Sequence, residues 1–144
     1  MISFTIPGRP VPFARMGGGK TRRRYIPDKQ RAYMEFVRLC AARAMGARPP
    51  NASRNIMIGA VRLTCEFYFE HPASHSLKHG LKPQYDTNHH IFVPDVDNLV
   101  KIVKDALKGL AWRDDCQVCE VSLRKRWAAP NKTAGTVVTV EELA

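Results

Sequence analysis

The chain has 144 residues, 44% of them hydrophobic and 25% charged, with a formal net charge of +10 at pH 7. This length and composition are typical of one soluble globular domain and exclude collagen-like, coiled-coil and fully disordered chains. No apolar run approaches the ~20 residues that a membrane-spanning helix needs, and the start MISFTIPG has no signal-peptide pattern. We therefore expect a cytoplasmic protein without a membrane partner.

The positive charge is concentrated in the first third of the chain. Residues 1–48 hold 11 basic and 2 acidic side chains, a net charge of +9, whereas the remainder carries +1. A basic arm on a nearly neutral body favours a polyanionic partner, above all nucleic acid. The alternative is a solvated cationic surface that aids solubility.

The N-terminal part predicts a strand followed by a long basic loop. Ile2–Ile6 alternates apolar and polar residues and ends at Pro7-Gly8, as a short strand does. The loop 8–27 is rich in Gly, Pro and Arg and has no period. Its candidate DNA contacts are Arg15, Lys20, Arg22, Arg23, Arg24 and Tyr25. Gly19-Lys20-Thr21 lacks the spacing of a phosphate-binding P-loop, so we expect no nucleotide cofactor.

Two helices and three further strands follow. Asp28 is expected to cap a helix over Lys29–Met45. Its predicted apolar stripe consists of Tyr33, Phe36, Val37, Cys40, Ala41 and Ala44. A second helix is predicted over Asn98–Lys108, with Gly109 at its C-terminal cap. Strands are predicted over Ile56–Phe69, Val118–Trp127 and Thr136–Glu141.

Between these elements, residues 71–93 predict a long irregular loop. His71, His75 and His79 recur every four residues there, but Pro72 and Gly80 favour a solvated loop over a helix. The order of elements favours the α+β class: a small mixed β-sheet with two main helices packed on one face, in a single domain over residues 1–144. Trp112 and Trp127 adjoin apolar segments and are expected in the core. Cys116 and Cys119 form a lone CxxC pair, so we expect no structural zinc and reduced, mostly buried thiols.

The acidic side chains are gathered in one region. Six of the thirteen lie within 26 residues, namely Asp95, Asp97, Asp105, Asp114, Asp115 and Glu120. Pro94 favours an extended approach, in which Asp95 and Asp97 would point to the same side. Asp97 or Asn98 also stands where a helix N-cap belongs. The turn after the second helix can bring Asp114 or Asp115 back beside this pair.

Three hard oxygen ligands with open positions suit Mg²⁺, or Mn²⁺ in its place. Lys101 lies four residues beyond Asp97 on the same helical face and can stabilise charge on a phosphate in the transition state. The group fits metal-assisted phosphodiester hydrolysis. The alternatives are structural: Asp97 as a helix cap, an ion-pair ladder of Asp97, Lys101 and Asp105, and an ordinary turn at Asp114-Asp115.

The segment PDVDNLVKIVKDALKGLAWRDDCQV resembles the signature of the RusA-type Holliday junction resolvases. That signature is P-D-x-D-N-L-x-K, then D-A-L, then a W-x-D-D-x-Q-[VI] turn. The runs Gly8–Pro12 and Arg24–Pro27, together with Arg15 and Tyr33–Val37, are also similar to phage-type members. Arg15-Met16 stands where the family often has Arg-Pro.

The resemblance implies a homodimeric, Mg²⁺-dependent endodeoxyribonuclease that nicks four-way DNA junctions symmetrically. By the same resemblance, Asp95, Asp97 and Asp115 would be the metal-binding carboxylates, with Asp114 as a further candidate, and Lys101 the catalytic lysine. Two readings stay open beside it. One is a non-catalytic nucleic-acid-binding protein, and the other is a metal nuclease acting on other branched or single-stranded DNA.

Overall fold

The computed structural model describes residues 1–14, 27–46 and 56–144. Its strands are β1 (Ile2–Pro7), β2 (Val61–Phe69), β3 (Ser76–Leu77), β4 (Gly80–Leu81), β5 (Val118–Trp127) and β6 (Gly135–Glu142). Its α-helices are α1 (Asp28–Ala44) and α2 (Val96–Leu107), and short 3₁₀ turns lie at Ala73–His75, Pro83–Tyr85 and Asp115–Gln117. No helix in these three ranges is both long and apolar enough to cross a bilayer.

The four longest strands form one mixed sheet in the order β1-β6-β2-β5. β6 runs antiparallel to both β1 and β2, whereas β5 runs parallel to β2. The parallel pair is possible because α2 and its flanking segments provide the long crossover from β2 to β5. The predicted α+β class, with a mixed sheet and two main helices in a single domain, is confirmed.

The hydrophobic core packs on one face of this sheet. The alternation predicted in β2 is confirmed: Val61, Leu63, Cys65, Phe67 and Phe69 are all buried, and the residues between them are half-buried. β2 begins at Val61 and not at Ile56, because Gly59 bends the chain and Met57 bridges to Trp112 instead. The opposite face carries ion pairs of Arg62 with Glu120 and Glu141 and of Arg124 with Glu66.

The first helix packs against the second helix and β1. It begins at Asp28, and Pro27 occupies the N-cap position that was predicted for Asp28. Its buried residues are Gln30, Tyr33, Val37 and Ala41. The predicted stripe is thus wrong at Phe36 and Ala44, which are exposed. The buried face of the helix includes Gln30 instead, because its Oε1 accepts a hydrogen bond from Ala14 N at 3.0 Å.

The second helix is buried along the predicted stripe, through Leu99, Ile102, Val103, Ala106 and Leu107. Gly109 follows with φ of 78°, a left-handed conformation that glycine adopts without strain, which confirms its capping role. Arg38 of α1 donates hydrogen bonds to the carbonyl oxygens of Ala106 and Lys108, at 2.8 and 3.3 Å. The end of α2 is thereby attached to α1.

Two predictions about side-chain burial are wrong. His75 is buried although its segment was predicted as a solvated loop, because its ring packs against Trp127 at a centroid distance of 5.2 Å. His90, in the same irregular segment, is also buried against Trp127, at 4.3 Å. The thiols of Cys116 and Cys119 are exposed, since Cys116 lies in the turn before β5 and Cys119 lies on β5 at the edge of the sheet. Cys65 is buried as expected. Trp112 and Trp127 are buried, as predicted.

Candidate active site

The start of α2 presents two exposed carboxylates. Asp95 is the N-cap residue with extended backbone angles, its carbonyl already accepts the amide of Leu99 at 3.2 Å, and Asp97 lies in the first helical turn. The predicted extended geometry of the pair and the predicted N-cap at Asp97 or Asn98 are therefore wrong, because helical hydrogen bonding begins earlier. Asp97 is stabilised there by the positive end of the helix dipole.

Among the described residues, neither of these carboxylates forms an ion pair. The Asp95 side chain makes no capping hydrogen bond. The four ion pairs in the described part of the chain use other acidic side chains. Two exposed carboxylates that pair with none of the described cations are hard oxygen donors that can bind water, a metal ion or a cationic ligand.

Lys101 follows Asp97 by one helical turn and is exposed. Its Nζ lies 4.3 Å from the centre of the Phe13 ring, a cation–π distance. Phe13 is itself held against α2, because its backbone amide donates to Asn98 O at 3.0 Å. The chain that leads into the basic loop thus contacts the ammonium group of Lys101, whose charge also acts on Asp105.

Asp115 returns to α2 two turns further along, beside Asp105. The indole Nε1 of Trp112 donates to Asp115 Oδ1 at 2.9 Å. Burial raises the pKa of Asp105, and the charge of Asp115 raises it further, while Lys101, Lys104 and Lys108 act in the opposite direction. The turn thus returns to the helix beside Asp105 and not, as predicted, beside the pair Asp95 and Asp97.

The structure does not bring Asp95, Asp97 and Asp115 into one cluster. Within residues 1–14, 27–46 and 56–144, no three His, Cys, Asp or Glu side chains lie close enough to hold one metal ion. Mg²⁺ sites often use only one or two carboxylates and complete their coordination with water and substrate phosphate. The Asp95–Asp97 donor set fits an ion of that kind.

Asp114 has a structural role in the turn. Its carboxylate accepts a hydrogen bond from Cys116 N at 3.4 Å and lies 3.6 Å from Lys108 Nζ. The bond from Cys116 N and the charge of Lys108 lower the pKa of Asp114. This engagement leaves Asp115 as the better candidate ligand of the two.

Sequence reasoning missed two residues that hold this site in place. The Gln117 Oε1 accepts the amides of Arg113 and Asp114, both at 2.8 Å, and its Nε2 donates to Met57 O and Gly59 O at 3.0 and 2.9 Å. The D-x-x-Q spacing of a capping box is a signal that could have identified it.

Lys125 of β5 is the second missed residue. Its Nζ donates to Phe92 O and Pro94 O, at 2.5 and 2.7 Å, and so holds the segment that leads directly into Asp95. Partial burial lowers the pKa of Lys125, and the nearby Asp95 charge opposes that shift. Lysine on an edge strand gives no signal of this contact in the sequence.

The predicted DNA contacts Arg15, Lys20, Arg22, Arg23, Arg24 and Tyr25 lie outside the described residues. Among the described ones, several exposed cations flank the candidate site. They are Arg9, Lys29, Lys101, Lys108 and Arg113. Exposed positive side chains on the same protein surface as carboxylates suit a phosphate backbone that approaches a cation site.

Comparison with known proteins identifies relatives over nearly the whole chain. The family model described as Endodeoxyribonuclease RusA matches residues 7–141. The uncharacterized protein YqaN of Bacillus subtilis (strain 168) is 35% identical over 130 residues, which cover 86% of each chain. The match includes the start of α2, the Asp114–Gln117 turn and the basic loop.

Proposed function

Since the chain belongs to the RusA endodeoxyribonuclease family, we propose that it resolves four-way DNA junctions by paired, symmetric nicks that depend on Mg²⁺. Family membership makes it an endodeoxyribonuclease, and the family is one of Holliday junction resolving enzymes. The observation that carries the proposal is the pair of exposed carboxylates at the start of α2, which form no ion pair with the described residues, with Lys101 one turn beyond Asp97.

Asp95 and Asp97 would hold the divalent ion, with Asp115 as a further candidate ligand. Such an ion neutralises charge on the scissile phosphate and lowers the pKa of a bound water. Mn²⁺ has the same preference for oxygen ligands and would substitute for Mg²⁺. In the reaction a water oxygen bonds to phosphorus and a bridging P–O bond breaks, which leaves a phosphate monoester and a hydroxyl group.

Lys101 would stabilise the charge that develops on the phosphate oxygens. Because its ammonium group already contacts the Phe13 ring, Lys101 loses less side-chain entropy when the substrate binds. Trp112 and Gln117 keep Asp115 in a fixed place, and Lys125 does the same for the segment before Asp95. Arg15, Lys20, Arg22, Arg23, Arg24 and Tyr25 would contact the DNA backbone.

A homodimer would explain paired nicks, because a two-fold axis between subunits matches the two-fold symmetry of a junction. The test is cleavage of an end-labelled four-way junction, with linear duplex, flap and single strand of the same sequence as controls. We expect nicks at matching positions on two strands of like polarity in the junction alone. Equal cleavage of flap or single strand would favour the broader nuclease, and binding without cleavage would favour a non-catalytic DNA-binding protein.

A further inference from the structure

A cavity of about 510 Å³ opens beside the candidate active site, between the ends of β1 and β2 and the segment that leads to α2. Its walls include Phe69, His90, Phe92 and Trp127, and Arg9 lies at its mouth. Cavities of this volume accommodate small flat molecules. Nothing in the catalytic arrangement described above uses this one.

The walls of the cavity are mostly ring faces and edges. The ring centroids of Phe69 and His90 are 4.5 Å apart, and those of His90 and Trp127 are 4.3 Å apart. Phe92 lies 6.1 Å from both His90 and Trp127. Surfaces of this kind bind nucleobases by stacking, whichever base is present, because every base has a π-face.

His90 lines the cavity and carries a polar atom without a hydrogen-bond partner among the described residues. The residue is only 7% exposed, and its Nδ1 is buried without a hydrogen-bond partner among the described residues. Burial and the nearby charge of Lys125 lower its pKa, which favours the neutral imidazole with its one donor and one acceptor. The edge of a nucleobase carries both complementary groups.

The charged side chains that line the cavity, Arg9 and Glu70, are compatible with a ligand that carries one phosphate group. Arg9 is exposed, and its guanidinium carbon lies 5.8 Å from the centre of the Phe69 ring, where it can meet a phosphate. Glu70 also lines the cavity, but its Oε1 already accepts the amide of Ala134 at 3.0 Å. The acidic wall residue is thus engaged by the protein, while the basic one at the mouth is exposed.

The cavity is close to the proposed catalytic carboxylates. Val93 lines it and precedes Asp95 by two residues, so their Cα atoms are at most about 7 Å apart, about two base steps of DNA. Lys125 contacts both the cavity residue His90 and the segment before Asp95. Lys125 O accepts the amide of His90 at 3.2 Å, and its Nζ holds the carbonyl groups before Asp95.

We propose that this cavity binds one unpaired nucleobase of the DNA substrate, next to the phosphate that is cut. This inference rests on the proposed nuclease function. The base stacks on the aromatic wall, its edge bonds to His90, and its phosphate meets Arg9. Since base pairs at a branch point are the least constrained by stacking, extrusion of one base costs least there.

The first experiment uses single nucleotides and requires neither cleavage nor a junction. The four deoxynucleoside monophosphates are titrated into the chelator-treated protein, with deoxyribose 5-phosphate as the base-free control. NMR signals of the His90 imidazole and the Trp127 indole are followed. We expect at least one nucleotide to shift both signals and the sugar phosphate to shift neither. Equal shifts by the sugar phosphate, or no shift by any nucleotide, would overturn the inference.

Two variants and one control sharpen this test. His90→Phe keeps a ring in the wall but removes both nitrogen atoms, and it should weaken nucleotide binding about 5- to 100-fold. Arg9→Gln alters an exposed side chain, so it remains informative if His90→Phe does not fold. His79→Phe makes the same change at an exposed histidine outside the cavity and should bind like wild type. Wild-type affinity in both His90→Phe and Arg9→Gln would contradict the proposal.

The second experiment places 2-aminopurine at successive positions around the exchange point of a four-way junction, again with chelator. We expect the wild type to change the fluorescence at one position and His90→Phe to leave that position unchanged. No responding position, or an identical response in His90→Phe, would overturn the inference. If the protein cuts junctions but fails both tests, the proposed function stands and the inference about the cavity is wrong. If it binds nucleotides without cutting DNA, the cavity is a nucleobase site and the proposed function is wrong.

Discussion

The indole Nε1 of Trp112 donates a hydrogen bond of 2.9 Å to Oδ1 of Asp115. Trp112 is fully buried in the hydrophobic core, whereas Asp115 is half-buried at the surface of the turn. The position of a proposed metal ligand is therefore fixed by a core residue. Small changes in core packing at Trp112 will reach the active site through this bond.

Trp112→Phe tests that relationship, because it keeps an aromatic ring but removes the donor. We expect cleavage to fall at least about 10-fold, since hydrogen bonds to charged groups contribute about 1.5–3 kcal/mol. Rates are measured well below the melting temperature of each variant. In the double variant with Asp115→Asn, the loss should be no greater than for Asp115→Asn alone. A loss in the double variant equal to the product of the two single losses would show that Trp112 does not act through Asp115.

Gln117→Leu is expected to loosen the turn that carries Asp114 and Asp115. The side chain of Gln117 makes four hydrogen bonds to backbone groups, and leucine makes none. We expect the free energy of unfolding to fall by about 2 kcal/mol, measured by urea denaturation. Cys116→Ser on the same turn is the control and should change it by less than about 0.5 kcal/mol. Equal stability of the two variants would contradict this role.

Lys125→Met should raise the Mg²⁺ concentration that cleavage requires. The substitution keeps the apolar stem but removes the donor that holds Phe92 O and Pro94 O before Asp95. Residues that support metal ligands typically contribute 10- to 100-fold, so we expect the Mg²⁺ concentration for half-maximal cleavage to rise about 10-fold. Lys132→Met removes an exposed positive charge elsewhere and is the control. The same Mg²⁺ dependence in both variants would show that Lys125 acts only as a surface charge.

Acid should destabilise the protein through the half-buried His71 and the buried His90. Burial lowers the pKa of both His71 and His90 in the folded state. The unfolded chain then binds more protons below about pH 6.5, so the free energy of unfolding falls as the pH drops through and below that value. Urea denaturation at a series of pH values measures the slope. We expect a shallower slope for His90→Phe and the wild-type slope for His79→Phe; an unchanged slope in His90→Phe would be the contrary result.

The sequence predicts most reliably where a periodic pattern is long. The alternation of Val61 to Phe69 and the stripe from Leu99 to Leu107 both lie as predicted, because each pattern faces a single continuous core. The ends of elements are less well determined. Asp95, Asp97 and Asn98 can each cap a helix, and only the hydrogen bond from Leu99 N to Asp95 O identifies which one does.

Contacts between distant residues account for what the sequence could not provide. Lys125 reaches the carbonyl groups of residues 33 and 31 positions earlier. His75 stacks on Tyr85 with ring centroids 3.6 Å apart, and His90 packs on Trp127, so polar residues in an irregular segment become buried. No local period signals such packing. The proposed metal ligands were found through type and spacing, whereas the residues that position them required the fold.

Asp97→Asn separates catalysis from binding most directly, because it removes one carboxylate charge at the exposed start of α2 with almost no change in shape. Junction binding is measured with chelator, and nicking of the same labelled junction is measured with Mg²⁺. We expect affinity equal to or greater than that of wild type and a fall in the nicking rate of at least about 100-fold. Nicking at the wild-type rate by Asp97→Asn would contradict the assignment of these carboxylates to the reaction.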